Sequence, residues 1–477
     1  MKLNRASLKS LTNVSTPRYS IEKVTPGIFH FGVGGFHRSH LARYTDSILE
    51  NDLSWGIIGS GILESDLRMS EVMSRQDCLY SLIEMDKSKI SCRIIGSIIE
   101  YVYAPKAKQR MLDALSDPSV RIVSLTITES GYLIDSDTGK FNTDHPLVKQ
   151  DLNSGPITSF GFICRALERR MKEGTAPFTV MSCDNLLGNG NSAKSAVLGL
   201  AEAYSPQLAR WIEGNVTFPN SMVDRITPVT TDEHRKMVHE EFGIEDEWPV
   251  VCESFTQWII EDSFCNGRPD FSTVGAQFVK NVEPYEQMKL RLLNASHSAL
   301  GYLGYLCGHR FVDEATNDPD FAKLLRRQMS SEVTPTLPPV AGIDLASYQE
   351  SIIERFGNSK IKDQLLRICS DGSGKIPKFI LPSVRAAIKN GDPIECLSLC
   401  VAAWIRFLEG VDESGSEIPI QDPMASSLAE SKGLKLLQRA DIFGDLVNND
   451  QFTKAVSSLY SQLKEDGSRV TLRRLLA

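Results

Sequence analysis

A chain of 477 residues with 42% hydrophobic and 23% charged side chains has an ordinary globular composition and is long enough for two cores rather than one. Its formal charge of −8 argues against a nucleic-acid partner, because phosphate binding needs a basic face, and no apolar run approaches the length of a membrane span. The ten cysteines are scattered through apolar segments, and the one close pair, Cys396 and Cys400, lacks a second pair or a neighbouring His, so reduced core thiols and a cytoplasmic setting are expected.

The first 21 residues contain no acid, a pattern shared by transit peptides and surface segments; the surface segment is the reading taken. Residues 27–31 (GIFHF) form a short apolar run of strand character, followed by GVGGFHR and then by SHLARYTDSILE with helical spacing. Strand, glycine turn and helix in that order is the context of a dinucleotide fingerprint, in which glycines admit a pyrophosphate to the amides of a helix N-terminus. His37 stands where the third glycine of that pattern is expected, and by itself the segment also reads as a tight turn. His30, His37 and His40 straddle strand, turn and helix, so their rings are not expected to converge on a metal.

Further apolar runs at 55–61, 121–129, 178–184 and 248–254 alternate with helical segments such as KQRMLDALSD and SFGFICRALERRMKEG. The alternation predicts a mainly parallel sheet covered on both faces. Glu64 or Asp66, just past the second run, could accept hydrogen bonds from an adenosine ribose, which would favour NAD over NADP; either could equally start a helix.

After Val282 the apolar positions recur at helical spacing, as in DFAKLLRRQMSSEV, IKDQLLRICS, ECLSLCVAAWIRFLEG and QFTKAVSSLYSQLKEDG, and a mostly helical second half follows. The expected division is a Rossmann-like α/β domain over 1–282 and a mostly α-helical domain over 283–477. The first helix of the second half contains KLRLLNASH. At about 100° per residue, Asn294 and His297 lie about 60° apart, Lys289 lies about 80° from His297, and all three fit an arc of roughly 140°. A desolvated Lys loses its charged form readily, as a general base requires; the alternative is a surface Lys, a capping Asn and a satisfied core His. Tyr285 and Lys289 also have the Y-x-x-x-K spacing of short-chain dehydrogenases, but at the wrong distance from the glycine turn, and are read as coincidence.

Taken together, GVGGFHR, TITESGY, MSCDN, VDRITP, FTQWIIED, K-x4-N-x2-H and SGKIPKFILPS resemble the polyol-specific long-chain dehydrogenases over residues 20–410. The resemblance implies NAD as cofactor, with NADP left open, bound by Ile28, Phe31, Gly32, Val33, Gly34, Gly35, Phe36, His37, Arg38 and Glu64. It implies Lys289 as general base, Asn185 and Asn294 as amide donors to the developing alkoxide, His297 as substrate-orienting group, and Glu286 as proton relay to water. Asp224, Arg367 and Lys375 would bind polyol hydroxyls. The implied activity is reversible oxidation of D-mannitol at carbon 2 to D-fructose, without a metal, by a monomer that needs neither nucleic acid nor membrane. Arabinitol or sorbitol oxidation, reduction of fructuronate or tagaturonate, and a catalytically silent nucleotide-binding protein are the alternatives.

Overall fold

The computed structural model describes residues 1–135 and 140–477, which divide into two units, Met1–Glu283 and Pro284–Ala477. The first unit is built on a five-stranded parallel sheet of the Rossmann type: β1 (Pro26–Phe31), β2 (Gly56–Gly61), β5 (Ile98–Tyr103), β6 (Ile122–Leu125) and β7 (Thr179–Ser182), in the order β5-β2-β1-β6-β7. Alternation along β1 feeds both faces. Phe29 and Phe31 enter one core, with the helices Ala104–Ser116, Ser159–Glu173 and Asn189–Tyr204. Ile28 enters the other, with Leu41, Ile48 and Met73. A parallel sheet covered in this way needs apolar residues on both sides, and the chain supplies them.

The order of the strands reverses at β1, whose neighbours β2 and β6 leave in opposite directions, so the crevice between the carboxyl ends of β1 and β6 is the switch point at which such sheets bind ligands. Two smaller sheets flank this framework. β3 (Tyr80–Met85) lies between β4 (Ile90–Ile95) and β9 (Val250–Glu253), and β10 (Gln257–Glu261) lies between β8 (Ser221–Asp224) and β11 (Gln277–Val279). The run at 248–254, expected in the main sheet, instead pairs in parallel with β3. The N-terminal segment packs onto this unit: Leu3 is 2% exposed, and Ser15 pairs with Arg93.

The second unit is helical. Its centre is Glu395–Phe407, whose side chains are buried apart from those of Glu395 and Arg406, packed against Asp450–Glu465. The buried Glu332 carboxylate accepts from the Cys396 and Leu397 amides at 2.8 and 2.9 Å and so caps that central helix. All ten cysteines are unpaired and eight are buried. No helix of the described residues is long and apolar enough to cross a membrane. The segment IKDQLLRICS departs from its expected continuous helix: only Leu365–Cys369 is helical, because Lys362 takes a left-handed backbone (φ 47°) and residues 363–365 bond to 310–312 instead.

Candidate active site

The glycine turn follows β1 directly. Gly32 has φ +90°, and a Cβ there would stand 2.1 Å from the Thr126 carbonyl at the end of β6, so this position admits only glycine. A Cβ on Gly34 would meet nothing nearer than 3.9 Å, which leaves open space over the turn. The helix Gly35–Ser39 that follows has no side-chain cap on its first amides, and these are donors of the kind a pyrophosphate satisfies.

His37 resolves the missing third glycine. Its ring stacks on that of His30 with centroids 3.5 Å apart and planes 11° off parallel, so two flat rings supply the close approach that a glycine otherwise gives. His30 Nδ1 pairs with Ser124 Oγ at 2.8 Å and Nε2 with Thr126 Oγ1 at 3.0 Å, while Thr126 Oγ1 donates to the Gly32 carbonyl at 2.7 Å. Burial pulls His30 down to about 3 and His37 well below the ordinary imidazole range. Both rings are neutral.

Several residues expected to bind the cofactor are therefore placed differently. Ile28, Phe31 and His37 are fully buried and Arg38 is 1% exposed, so they form the floor of the turn rather than side-chain contacts to a dinucleotide. The Arg38 guanidinium donates to the Trp248 carbonyl and to Gly34 O. Val33 is also mostly buried, and the backbone of Gly32, Gly34, Gly35 and Phe36 is what remains accessible. Glu64 is exposed just past β2, whereas the Asp66 carboxylate caps the Leu63 amide at 2.9 Å. Gly32→Ala is expected to cost about 2 kcal/mol or more, from positive φ and the clash together, read as a lowered thermal midpoint and weakened NAD binding by fluorescence titration.

Asn185 lies exposed just after β7, in a loop held by two residues the sequence did not reveal. Asp184 accepts from the Ile127 and Thr128 amides and from the Tyr132 hydroxyl at 3.1, 2.8 and 2.8 Å. It thereby holds Thr128 in a positive-φ backbone (φ 63°) at the end of β6. Burial pushes its carboxyl up, against the pull of those donors. Asn189 donates to the carbonyls of Asp184 and Ser221 at 2.9 and 2.7 Å, which ties the loop to β8. Asp224 ends β8 and is buried. Its neighbour Arg225, also buried, donates to the Ser39 carbonyl at 2.6 Å, to Glu253 O and to the Glu84 carboxylate. A buried arginine thus locks VDRITP to the helix behind the glycine turn.

In the second unit the expected α-helix is wound differently. Lys289–Asn294 and Leu300–Gly304 are π-helical, and the Ala295 amide bonds to the Leu290 carbonyl, five residues back. In an α-helix Lys289 and Asn294 would diverge by about 140°; π winding turns less per residue and draws positions five apart towards one face. Such insertions are frequent at functional sites. Lys289 and Glu286 are each 6% exposed. Asn294 Oδ1 and His297 Nε2 are buried without a hydrogen-bond partner among the described residues. His297 stacks on Phe356 at 4.0 Å, and burial, assisted by the charges of Arg367, Arg355, Lys375 and Lys289, holds it well below its ordinary range.

Arg367 projects a half-exposed guanidinium paired with Asp363. Lys375 donates to the Ile368 carbonyl at 3.0 Å, and burial lowers its ammonium from the usual lysine range. The structure brings Lys289, Asn294 and His297 onto one helical stretch with Glu286, and His297 feels the charges of Lys289, Arg367 and Lys375. Asn185, Asp224 and the glycine turn belong to the other unit.

A Rossmann-type sheet with a glycine turn at its switch point, in one chain with a helical unit carrying a buried lysine among unpartnered polar atoms, defines a nucleotide-dependent dehydrogenase. Comparison with known proteins gives the family. The model of the mannitol dehydrogenase Rossmann domain matches residues 26–273, and that of the mannitol dehydrogenase C-terminal domain matches 281–464. A mannitol 2-dehydrogenase of Phaeosphaeria nodorum is 44% identical, over 99% of this chain and 85% of its own length. A mannitol dehydrogenase of Saccharomyces cerevisiae is 42% identical, over 99% and 97%. The crystal structure of Pseudomonas fluorescens mannitol 2-dehydrogenase, a ternary complex with NAD and D-mannitol, superposes with a TM-score of 0.92 at 45% identity, covering 100% of this chain and 99% of that one. A D-sorbitol dehydrogenase also gives 0.92, at 39% identity over 98% and 100%. The chain belongs to the mannitol dehydrogenase family and is a polyol dehydrogenase.

Proposed function

We propose that this protein oxidises D-mannitol at carbon 2 to D-fructose, reversibly, with NAD and without a metal, using Lys289 as the base. The reading is carried by the buried helical stretch 286–297. Lys289 is buried there, and Asn294 Oδ1 and His297 Nε2 lack hydrogen-bond partners among the described residues. An unpaired buried acceptor or donor costs about 1–3 kcal/mol, and a hydroxyl, which both donates and accepts, satisfies either kind.

Bound NAD supplies the hydride acceptor; the accessible backbone of the Gly32–Phe36 turn would hold its pyrophosphate, and the exposed Glu64 carboxylate its adenosine ribose, against a 2′-phosphate. Lys289 takes the proton from the carbon-2 hydroxyl as negative charge develops on that oxygen. Asn294 and Asn185 donate N–H groups to it, and because an amide is neutral they stabilise the alkoxide without competing for the proton. Such a donor typically contributes about 10²–10³ in rate. Glu286, one turn before Lys289, passes the proton on towards water. His297, held neutral, orients the substrate, and Asp224, Arg367 and Lys375 pair with the other hydroxyls, which discriminates against analogues that lack them. The proposed functional unit is a single chain.

Purified protein given NAD or NADP with mannitol, arabinitol and sorbitol, and NADH with fructose, tests this. Fastest NAD reduction is expected with mannitol, slower with NADP, and unchanged in the presence of a chelator. No cofactor reduction with any polyol overturns the proposal. The sorbitol dehydrogenase likeness favours sorbitol as the second substrate to try.

A further inference from the structure

Arg367 is the group on which a polyol site and a sugar-acid site differ most. Towards a polyol it offers N–H donors to hydroxyl oxygens; towards a sugar acid it would clasp a carboxylate by two parallel hydrogen bonds. A carboxylate already holds it. Arg367 Nε donates to Asp363 Oδ1 at 2.7 Å and Nη2 donates to Oδ2, which occupies one edge of the guanidinium. Nη1 has no protein partner among the described residues.

Asp363 is not free to swing aside. Its carboxylate is 5% exposed against 54% for the Arg367 side chain. Its carbonyl accepts from the Val312 amide at 2.9 Å, and the Leu365 amide donates to the Arg310 carbonyl at 2.9 Å, so the backbone is pinned on both sides. Arg367, Arg355, Lys375 and Lys289 all bear on His297, while Asp371 and Asp422 act on Lys375.

We infer that Asp363 sets the selectivity of this site for neutral polyols and ketoses against sugar acids. Its carboxylate fills the edge of Arg367 that a substrate carboxylate would use, balances the guanidinium charge, and opposes a second anion by like-charge repulsion. The Nη1 edge stays available and suits a hydroxyl oxygen. The inference rests on the reading that Arg367 meets the substrate.

Fructose and fructuronate test it, since they share the ketone at carbon 2, are reduced alike by NADH and a proton to the alcohol, and differ in a terminal carboxylate. Asp363→Asn keeps the shape and one acceptor but removes the charge. The ratio of kcat/KM for fructuronate to that for fructose is expected to rise about tenfold or more, and mannonate to become a correspondingly stronger competitive inhibitor of mannitol oxidation. Asp363→Glu, which retains the charge, is expected to keep the wild-type ratio. Asp363→Ser, which leaves room for water, is the second variant should the amide disturb folding, with the same expected direction. A folded, fructose-reducing Asp363→Asn or Asp363→Ser enzyme with an unchanged ratio overturns the inference. Arg367→Met separates the two claims: an unchanged KM for fructose removes Arg367 from the site and takes this inference with it, whereas a raised KM beside an unchanged Asp363→Asn ratio sinks the role of Asp363 alone.

Discussion

Replacing Lys289 by Ala is expected to lower kcat for mannitol oxidation by about 10³-fold or more, while the affinity for NAD changes little. A positioned general base contributes about 10²–10⁴, and the same ammonium, once protonated, is a charged donor near the alkoxide, a contribution of similar kind. The proposed hold on NAD is the backbone of the Gly32–Phe36 turn, which the substitution leaves unchanged. Lys289 is buried, so truncation also removes packing, and Lys289→Met, which keeps the stem, serves as the control. If chemistry is what is lost, Met and Ala variants fail equally, and small primary amines restore part of the rate to the Ala variant, whose vacated space can hold them, but not to the Met variant. Turnover near wild type in either variant would remove Lys289 from the proton transfer.

The chemistry-bearing elements of this chain were legible because their residue types are improbable where they stand. A lysine, an amide and an imidazole in an apolar helix, and glycines after an apolar strand, are each visible against the pattern around them. β1, β2, β6 and β7 showed as mostly apolar runs without charged residues because both their faces are covered. β5, at the sheet edge, is only half covered, and its run is broken by Glu100; β8 and β11 are four and three residues long. Which ladder a strand joins is a tertiary property, and β9 was misplaced for that reason.

The hidden part of the site is its support. Arg38, Arg225, Asp184 and Asn189 are polar residues whose work includes satisfying groups distant in the sequence, and nothing local records such a partner. The π turns were concealed differently. A scan at 3.6 residues per turn places Lys289 and Asn294 at the two ends of an arc of roughly 140°, and the five-residue hydrogen bond at Ala295 draws them closer together. The spacing K-x4-N, at the edge of one face in an α-helix, lies nearer to a single direction once the winding is known.

Mild acid is expected to destabilise the protein steeply, through imidazoles that cannot take up protons while folded. Burial holds His30 at about 3 and His37 and His297 well below 6.5, whereas in an unfolded chain each titrates near 6.5. Above about pH 7.5 both states are neutral and the three groups contribute nothing. As pH falls through about 6.5 the unfolded state binds protons that the folded state refuses, so stability falls by about 1.4 kcal/mol per pH unit for each group, about 4 for three. His234, also lowered by burial, acts in the same direction. Asp46, Asp184, Asp246 and Glu332 act oppositely: burial raises them, so their folded forms accept protons before their unfolded forms do. That contribution opposes the imidazole one wherever those raised carboxyls titrate, so the difference between the wild-type and His37→Phe proteins isolates the imidazole. Calorimetric proton uptake on denaturant unfolding at pH 5.5 is expected to approach about three protons from these sites, and His37→Phe, which keeps a stacking ring over His30, is expected to remove about one of them. An unchanged uptake in the His37→Phe protein would show that this imidazole is not held neutral in the fold.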